Sequence, residues 1–213
     1  MSRLIALSVA LPVIFMAACT GSLFQSKVAP PTIYLLSAAA GTPAAGAPAA
    51  EIPVDLAILK PKLRPGLETD RIAVLYPDRR LDYFADARWS GPLGEVLQDL
   101  AVQEFHSHAH LRTVSGDASV FASAYWLEME VSDFQAEYTS SAAAPTVHVR
   151  FLARMGSSGD RRILGQFEAN AERPAAENRL TAIVDAYARA ARAALEEIIA
   201  RADENLAKTS ETR

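Results

Sequence analysis

The sequence predicts an α+β fold: a single mixed, largely antiparallel sheet with two main amphipathic helices packed on one face. Two observations carry this. Three consecutive segments, Tyr125–Tyr138, Val147–Arg154 and Ile163–Asn170, alternate apolar and polar residues, the period of strands with one buried face. Two other segments repeat apolar residues at helical spacing, one from Ser90 to near His106 and a longer one from about Ala175 to Ala202.

Residues 1–18 fall outside that fold. Arg3 precedes an apolar run from Leu4 to Met16, broken only by Ser8 and Pro12, and Ala17-Ala18 are the small residues a signal peptidase needs. The run is shorter than the roughly 18 to 20 residues that span a bilayer as a helix, so it reads as a signal peptide. Cys19 follows it directly and is the only cysteine in 213 residues. A lone thiol closes no intramolecular disulfide and builds no CxxC or zinc site. The segment Met16-Ala17-Ala18-Cys19 resembles the lipobox of bacterial lipoproteins, with methionine where leucine is usual. That resemblance implies a diacylglyceryl group on the Cys19 thiol, cleavage before Cys19, and acylation (palmitate-type chains) of the new amino terminus. More than one acyl chain makes anchoring durable. Thr20 stands where an inner-membrane lipoprotein tends to carry aspartate, which favours the outer membrane. The alternative is an ordinary signal peptide followed by an incidental cysteine.

Cys19 to Pro31 is expected to be the lipidated cysteine and its tether; twelve residues, extended, reach at most about 40 Å. Residues 32–203 form the predicted domain. Thr32–Ser37 is a first strand, and 38–50, rich in Ala, Gly and Pro, lacks the large apolar groups that offset chain ordering and reads as a flexible loop. Asp55–Lys60 and Arg71–Tyr76, bounded by prolines, are buried strands with a Pro65-Gly66 turn between them; Leu81–Phe84 is a further strand. In the first helix Leu93, Val96, Leu97, Leu100, Ala101 and Phe105 make one face, Ser90 or Gly91 can cap it, and Pro92 fits its first turn. Leu111–Val114 is a short strand. In the first alternating segment Tyr125, Leu127, Met129 and Val131 face one way; Trp126, Glu128, Glu130, Ser132 and Phe134 face the other. Trp126, Phe134 and Leu164 thus lie on a half-polar sheet face that could meet a partner. The tail 204–213 is polar and expected to be disordered.

The formal charge of −4 becomes about −5 once Arg3 is removed with the signal peptide, and this argues against a nucleic-acid binder. Short Arg pairs, Arg79-Arg80 and Arg161-Arg162, read as solvated turns. No G-x-S-x-G, G-x-G-x-x-G, Walker loop or H-E-x-x-H occurs. Glu128 and Glu130 share a strand face, a solvated face unless a pocket joins them as a catalytic pair. Ser157 and Ser158 sit in a turn without an adjacent histidine. His106, His108 and His110 converge if extended, and two of them are i, i+4 neighbours if helical, so zinc is conceivable; a solvated helix end is the favoured reading.

One stretch carries a further pattern: Arg64-Pro65-Gly66-Leu67, Thr69-Asp70-Arg71-Ile72-Ala73-Val74, Asp82-Tyr83-Phe84, Ala87-Arg88-Trp89 and Pro92-Leu93. With Tyr34-Leu35-Leu36 and the lipobox, it resembles the ABC-type transport auxiliary lipoprotein family, which includes the paraquat-inducible protein C lipoproteins. The resemblance implies a non-enzymatic, outer-membrane-anchored, periplasmic partner of a transport system. Such systems pair an ABC permease and ATPase with an MCE-domain protein and move phospholipid or other hydrophobic molecules across the envelope. It also implies a homo-oligomeric ring, as in some members. It supplies no catalytic residue, cofactor or metal, only Cys19 as the lipid attachment. Arg88 and Trp89 match its motif as structural anchors or as partner contacts. A structural lipoprotein of a secretion or Tol-like envelope-assembly complex is the alternative function.

Overall fold

The computed structural model describes residues 29–37, 52–116 and 123–211, so Cys19, the expected signal peptide, most of the tether and the expected loop at 38–50 lie outside the described residues. In chain order the elements are β1 Thr32–Tyr34, β2 Ile52–Ile58, β3 Lys62–Leu63, β4 Arg71–Leu75, β5 Leu81–Trp89, α1 Leu93–His108, β6 Leu111–Ser115, β7 Tyr125–Glu137, β8 Thr146–Ser157, β9 Ile163–Pro174 and α2 Leu180–Glu211.

The spine is β7. One of its edges pairs antiparallel with β8 along its whole length, and β8 pairs antiparallel with β9, giving the meander that the alternation predicts. Along the other edge three short strands dock in succession, all parallel: β2 against Tyr125–Leu127, β3 against Glu130 and Val131, β4 against Ala136 and Glu137. Backbone bonds from Leu59 N–H to Leu127 O and from Arg64 N–H to Val131 O fill the gaps between these dockings. Outward from this row, β6 lies parallel to β2, β5 antiparallel to β4, and β1 parallel to β5. Among the described residues the sheet has nine strands; its two longest ladders are antiparallel and its short pairings mostly parallel. Arg112 on β6 grips the Asp55 carboxylate on β2 with two nitrogens, and that hydrogen bonding holds the Asp55 carboxyl below its usual range.

Both helices pack on one face. The α2 stripe is built from Ala186, Ala190, Ala191, Ala194, Ala202, Ile183, Tyr187, Leu195, Ile198 and Leu206, all at most 1% exposed. Its small residues let the helix axis approach the sheet, and thirty-two residues at about 1.5 Å rise cross it from end to end. Tyr187 stands at the centre. Its ring packs on Trp89 and Phe134 at 5.3 and 5.1 Å between centroids, and its hydroxyl donates to the Ala73 carbonyl. Burial pushes that phenol far above its ordinary range, with a backbone hydrogen bond at Ala136 opposing.

Four sequence expectations change. Phe134 is in the core, 1% exposed, and not on the outer face. Val131 pairs with Phe151 but Asp133 pairs with Arg150, so Ser132 is an extra residue in β7. One inserted residue inverts the facing of every later side chain, which turns Phe134 and Ala136 inward. The second helix starts at Leu180 because Pro174 ends β9 and the Ala175 N–H donates to Pro145 O at 3.0 Å instead of entering a helix. The segment expected to be a disordered tail from 204 continues α2 to Glu211, tied down by the buried Leu206. The first helix has no side-chain cap from Ser90 or Gly91: Pro92 is the N-cap, and the Leu93 N–H donates to Thr69 O at 3.0 Å.

The bulge is testable by denaturation. Deleting Ser132 should leave Val131 opposite Phe151, Asp133 opposite Arg150 and Phe134 opposite Val149, so Phe134 should stay inside and the cost should fall well short of the about 3–5 kcal/mol of losing a large aromatic from a core. Ser132→Ala should stay within about 1 kcal/mol of the parent.

Candidate functional site

Three loops and two strands bring the Arg64–Leu93 pattern together. Gly66 turns the chain with φ 93°, a left-handed conformation that glycine adopts freely, and a Cβ there would stand 2.8 Å from Leu81 Cδ2. The Tyr83 hydroxyl donates to the Gly66 carbonyl at 2.8 Å, and the Arg71 guanidinium lies 4.1 Å above the Tyr83 ring. Arg88 Nη1 donates to both Asp70 carboxylate oxygens at 2.7 and 2.8 Å, and this bond chiefly holds the Asp70 carboxyl below its usual range. The Trp89 N–H donates to the Asp70 carbonyl at 2.7 Å. Behind this backbone clasp, the Trp89 side chain is 2% exposed and meets Phe134 edge-on at 6.1 Å. Asp86 at φ 52° marks an irregular stretch in β5 that lets Tyr83 face the turn while Arg88 and Trp89 rejoin Arg71. The pattern is therefore a joint between the β3–β4 turn and the β5–α1 junction. Trp89 is inside it and Arg88 is on its rim.

The histidines do not converge. His106 is exposed, His108 Nδ1 lies 3.3 Å from Glu104 Oε2, and His110 Nδ1 lies 3.1 Å from Asp203 Oδ2. Among the described residues no group of three His, Cys, Asp or Glu side chains could hold a metal ion. Glu104 is the unexpected member: 1% exposed, on the stripe that includes Leu97, Leu100 and Ala101, with Oε1 lacking any hydrogen-bond partner. Its spacing from Leu97 and Leu100 was the signal for a carboxylate turned into the α1–α2 contact. Burial pushes its carboxyl above its ordinary value, while His108 and Arg192 pull it down and Glu196 raises it.

The outer sheet face holds paired charges. Glu128 meets Lys62 Nζ at 2.6 Å and is not joined to Glu130 in a pocket. Asp133 lies between Arg64 and Arg150 at 3.6 and 3.3 Å, and His148 lies between Glu172 and Glu137 at 3.2 and 3.8 Å, around a shallow cleft of about 310 Å³. Trp126 lies over Gly156, where a Cβ would approach its ring to 2.4 Å. Ser157 lines a second cleft with Asp160 and Arg162, and no histidine lines it. The face offers compensated charges and a half-buried indole. That is suited to recognition, and it aligns no nucleophile with a base.

Glu104 gives a pH prediction. Its folded pKa is raised, so its contribution is full below the ordinary value of 4.5 and is lost as pH rises through the folded value. Glu104→Gln should therefore gain stability over the parent at neutral pH and lose the advantage near pH 4. Urea titrations at the two pH values measure this.

A comparison with curated proteins finds no match. Among solved structures, a DUF330 protein of Xanthomonas campestris superimposes with TM-score 0.70 at 20% identity, over 85% of this chain and 97% of that one. An uncharacterised protein gives TM-score 0.61 at 13% identity, over 84% and 99%. At these identities the likeness is one of fold. The model of one family, described as the ABC-type transport auxiliary lipoprotein component, matches residues 34–199, a span that contains the whole Arg64–Leu93 joint. The chain belongs to the ABC-type transport auxiliary lipoprotein family.

Proposed function

We propose that this lipoprotein is anchored in the outer membrane through acyl chains on Cys19 and faces the periplasm. There it serves an ABC transport system containing an MCE-domain protein that moves phospholipid or other hydrophobic molecules. It acts by binding and scaffolding. The observation that carries this reading is the internal use of the family pattern. Arg64–Leu93 is spent on joining β4, β5 and α1, so what it maintains is a rigid body and not a reaction centre. A rigid sheet with an open, charge-compensated face suits a docking partner. No helix among the described residues is long and apolar enough to cross a membrane, and an acylated Cys19 would supply attachment in its place.

Two measurements test this. Crosslinked pull-down of the tagged protein from membranes should recover the permease, ATPase and MCE-domain protein; recovery of secretion or Tol-like subunits in their place would refute it. Mass spectrometry of the mature N-terminal peptide should show an acylated Cys19, and Cys19→Ser should move the protein from the membrane to the soluble fraction.

A further inference from the structure

Ile33 and Leu35 are 55% and 69% exposed, two of the three large apolar side chains that stand most open among the described residues. They alternate with Tyr34, which is half-buried, and Leu36, which is buried, so the outward pair lies on the face away from the helices. Register extends that face inward. Ile33 pairs with Arg88, and Arg88 pairs with Arg71, so the three side chains form one row across β1, β5 and β4. Asp70 compensates Arg88, whereas Arg71 stacks on Tyr83 and meets no carboxylate within ion-pair distance among the described residues.

We propose that this row is a contact surface for a phospholipid bilayer, with Ile33 and Leu35 entering the headgroup–acyl boundary and Arg71 facing anionic headgroups. Three features select a lipid surface over a protein strand. With only three residues, β1 offers little unpaired backbone for another strand to extend, so its exposed feature is the side-chain face. Apolar side chains beside arginine match the interface of an anionic membrane. And β1 is the first strand after Cys19: Ile33 follows it by fourteen residues, which places the row within about 50 Å of chain from the anchor.

The inference rests on the Cys19 anchor proposed above, so the test uses two anchors. Leu35→Cys is made in the mature chain carrying its own lipid, and again in a Cys19→Ser chain held by an N-terminal hexahistidine tag on chelator lipid. Each is labelled with a polarity-sensitive fluorophore on vesicles of phosphatidylethanolamine and phosphatidylglycerol containing a lipid quencher. A label at the exposed Ser158 is the control. The label at 35 should be quenched roughly threefold more than at 158 under both anchors, and Arg71→Gln should reduce the difference. Equal quenching at 35 and 158 in the tag-held chain overturns the proposal. So does a label at 35 that ignores lipid but shifts with protein concentration in detergent, because a second copy would then cover the row. Failure of the untagged chain to float, with quenching intact in the tagged one, removes the acyl anchor and supports the contact surface.

Discussion

The aromatic contact among Trp89, Phe134 and Tyr187 ties three otherwise separate parts of the chain: the β5–α1 junction, the middle strand and the long C-terminal helix. It forms only because β7 changes facing at Ser132. Before that residue, odd-numbered side chains fill the core under the helices; after it, even-numbered ones do. Such ring pairs contribute about 0.5–1.5 kcal/mol each beyond their buried area, and here one ring, Tyr187, also anchors its hydroxyl to the β4 backbone. The bulge thus sets where α2 sits.

The Arg64–Leu93 joint is the second constraint. Its polar bonds are partly exposed and individually weak; a surface pair such as Arg88–Asp70 contributes at most about 1 kcal/mol. Their value is positional. The Trp89 amide is held at the Asp70 carbonyl, and this aims the indole into the core and starts α1 at a fixed angle from Pro92. The conformation of the turn at Gly66 and the ring of Tyr83 keep the first half of the motif in register with the second.

Periodicity disclosed the meander, both helices and their single-sided packing, because those features follow from local alternation. It missed what depends on one residue's count or on distant partners. Ser132 looks like any outward-facing strand residue, and only the pairing with Phe151 and Arg150 reveals it as an insertion. The parallel docking of β2, β3 and β4 has no local signature at all. The polar composition after residue 203 hid Leu206, a single buried anchor that keeps the helix intact. At the site, the Arg64–Leu93 pattern was visible as a string, but its pairing of Arg88 with Asp70 eighteen positions away was not.

The row of short parallel dockings along one edge of β7 gives the domain an unusual division of labour. The opposite ladder, with β8, is long and runs the whole strand around its single bulge at Ser132. The near edge is a set of separate clasps, each closed by two or three pairings and its own side chains. Local opening there can peel β2 with β6, or β4 with β5, without disturbing the other. A longer link between two clasps would in the same way leave the register of the antiparallel half unchanged.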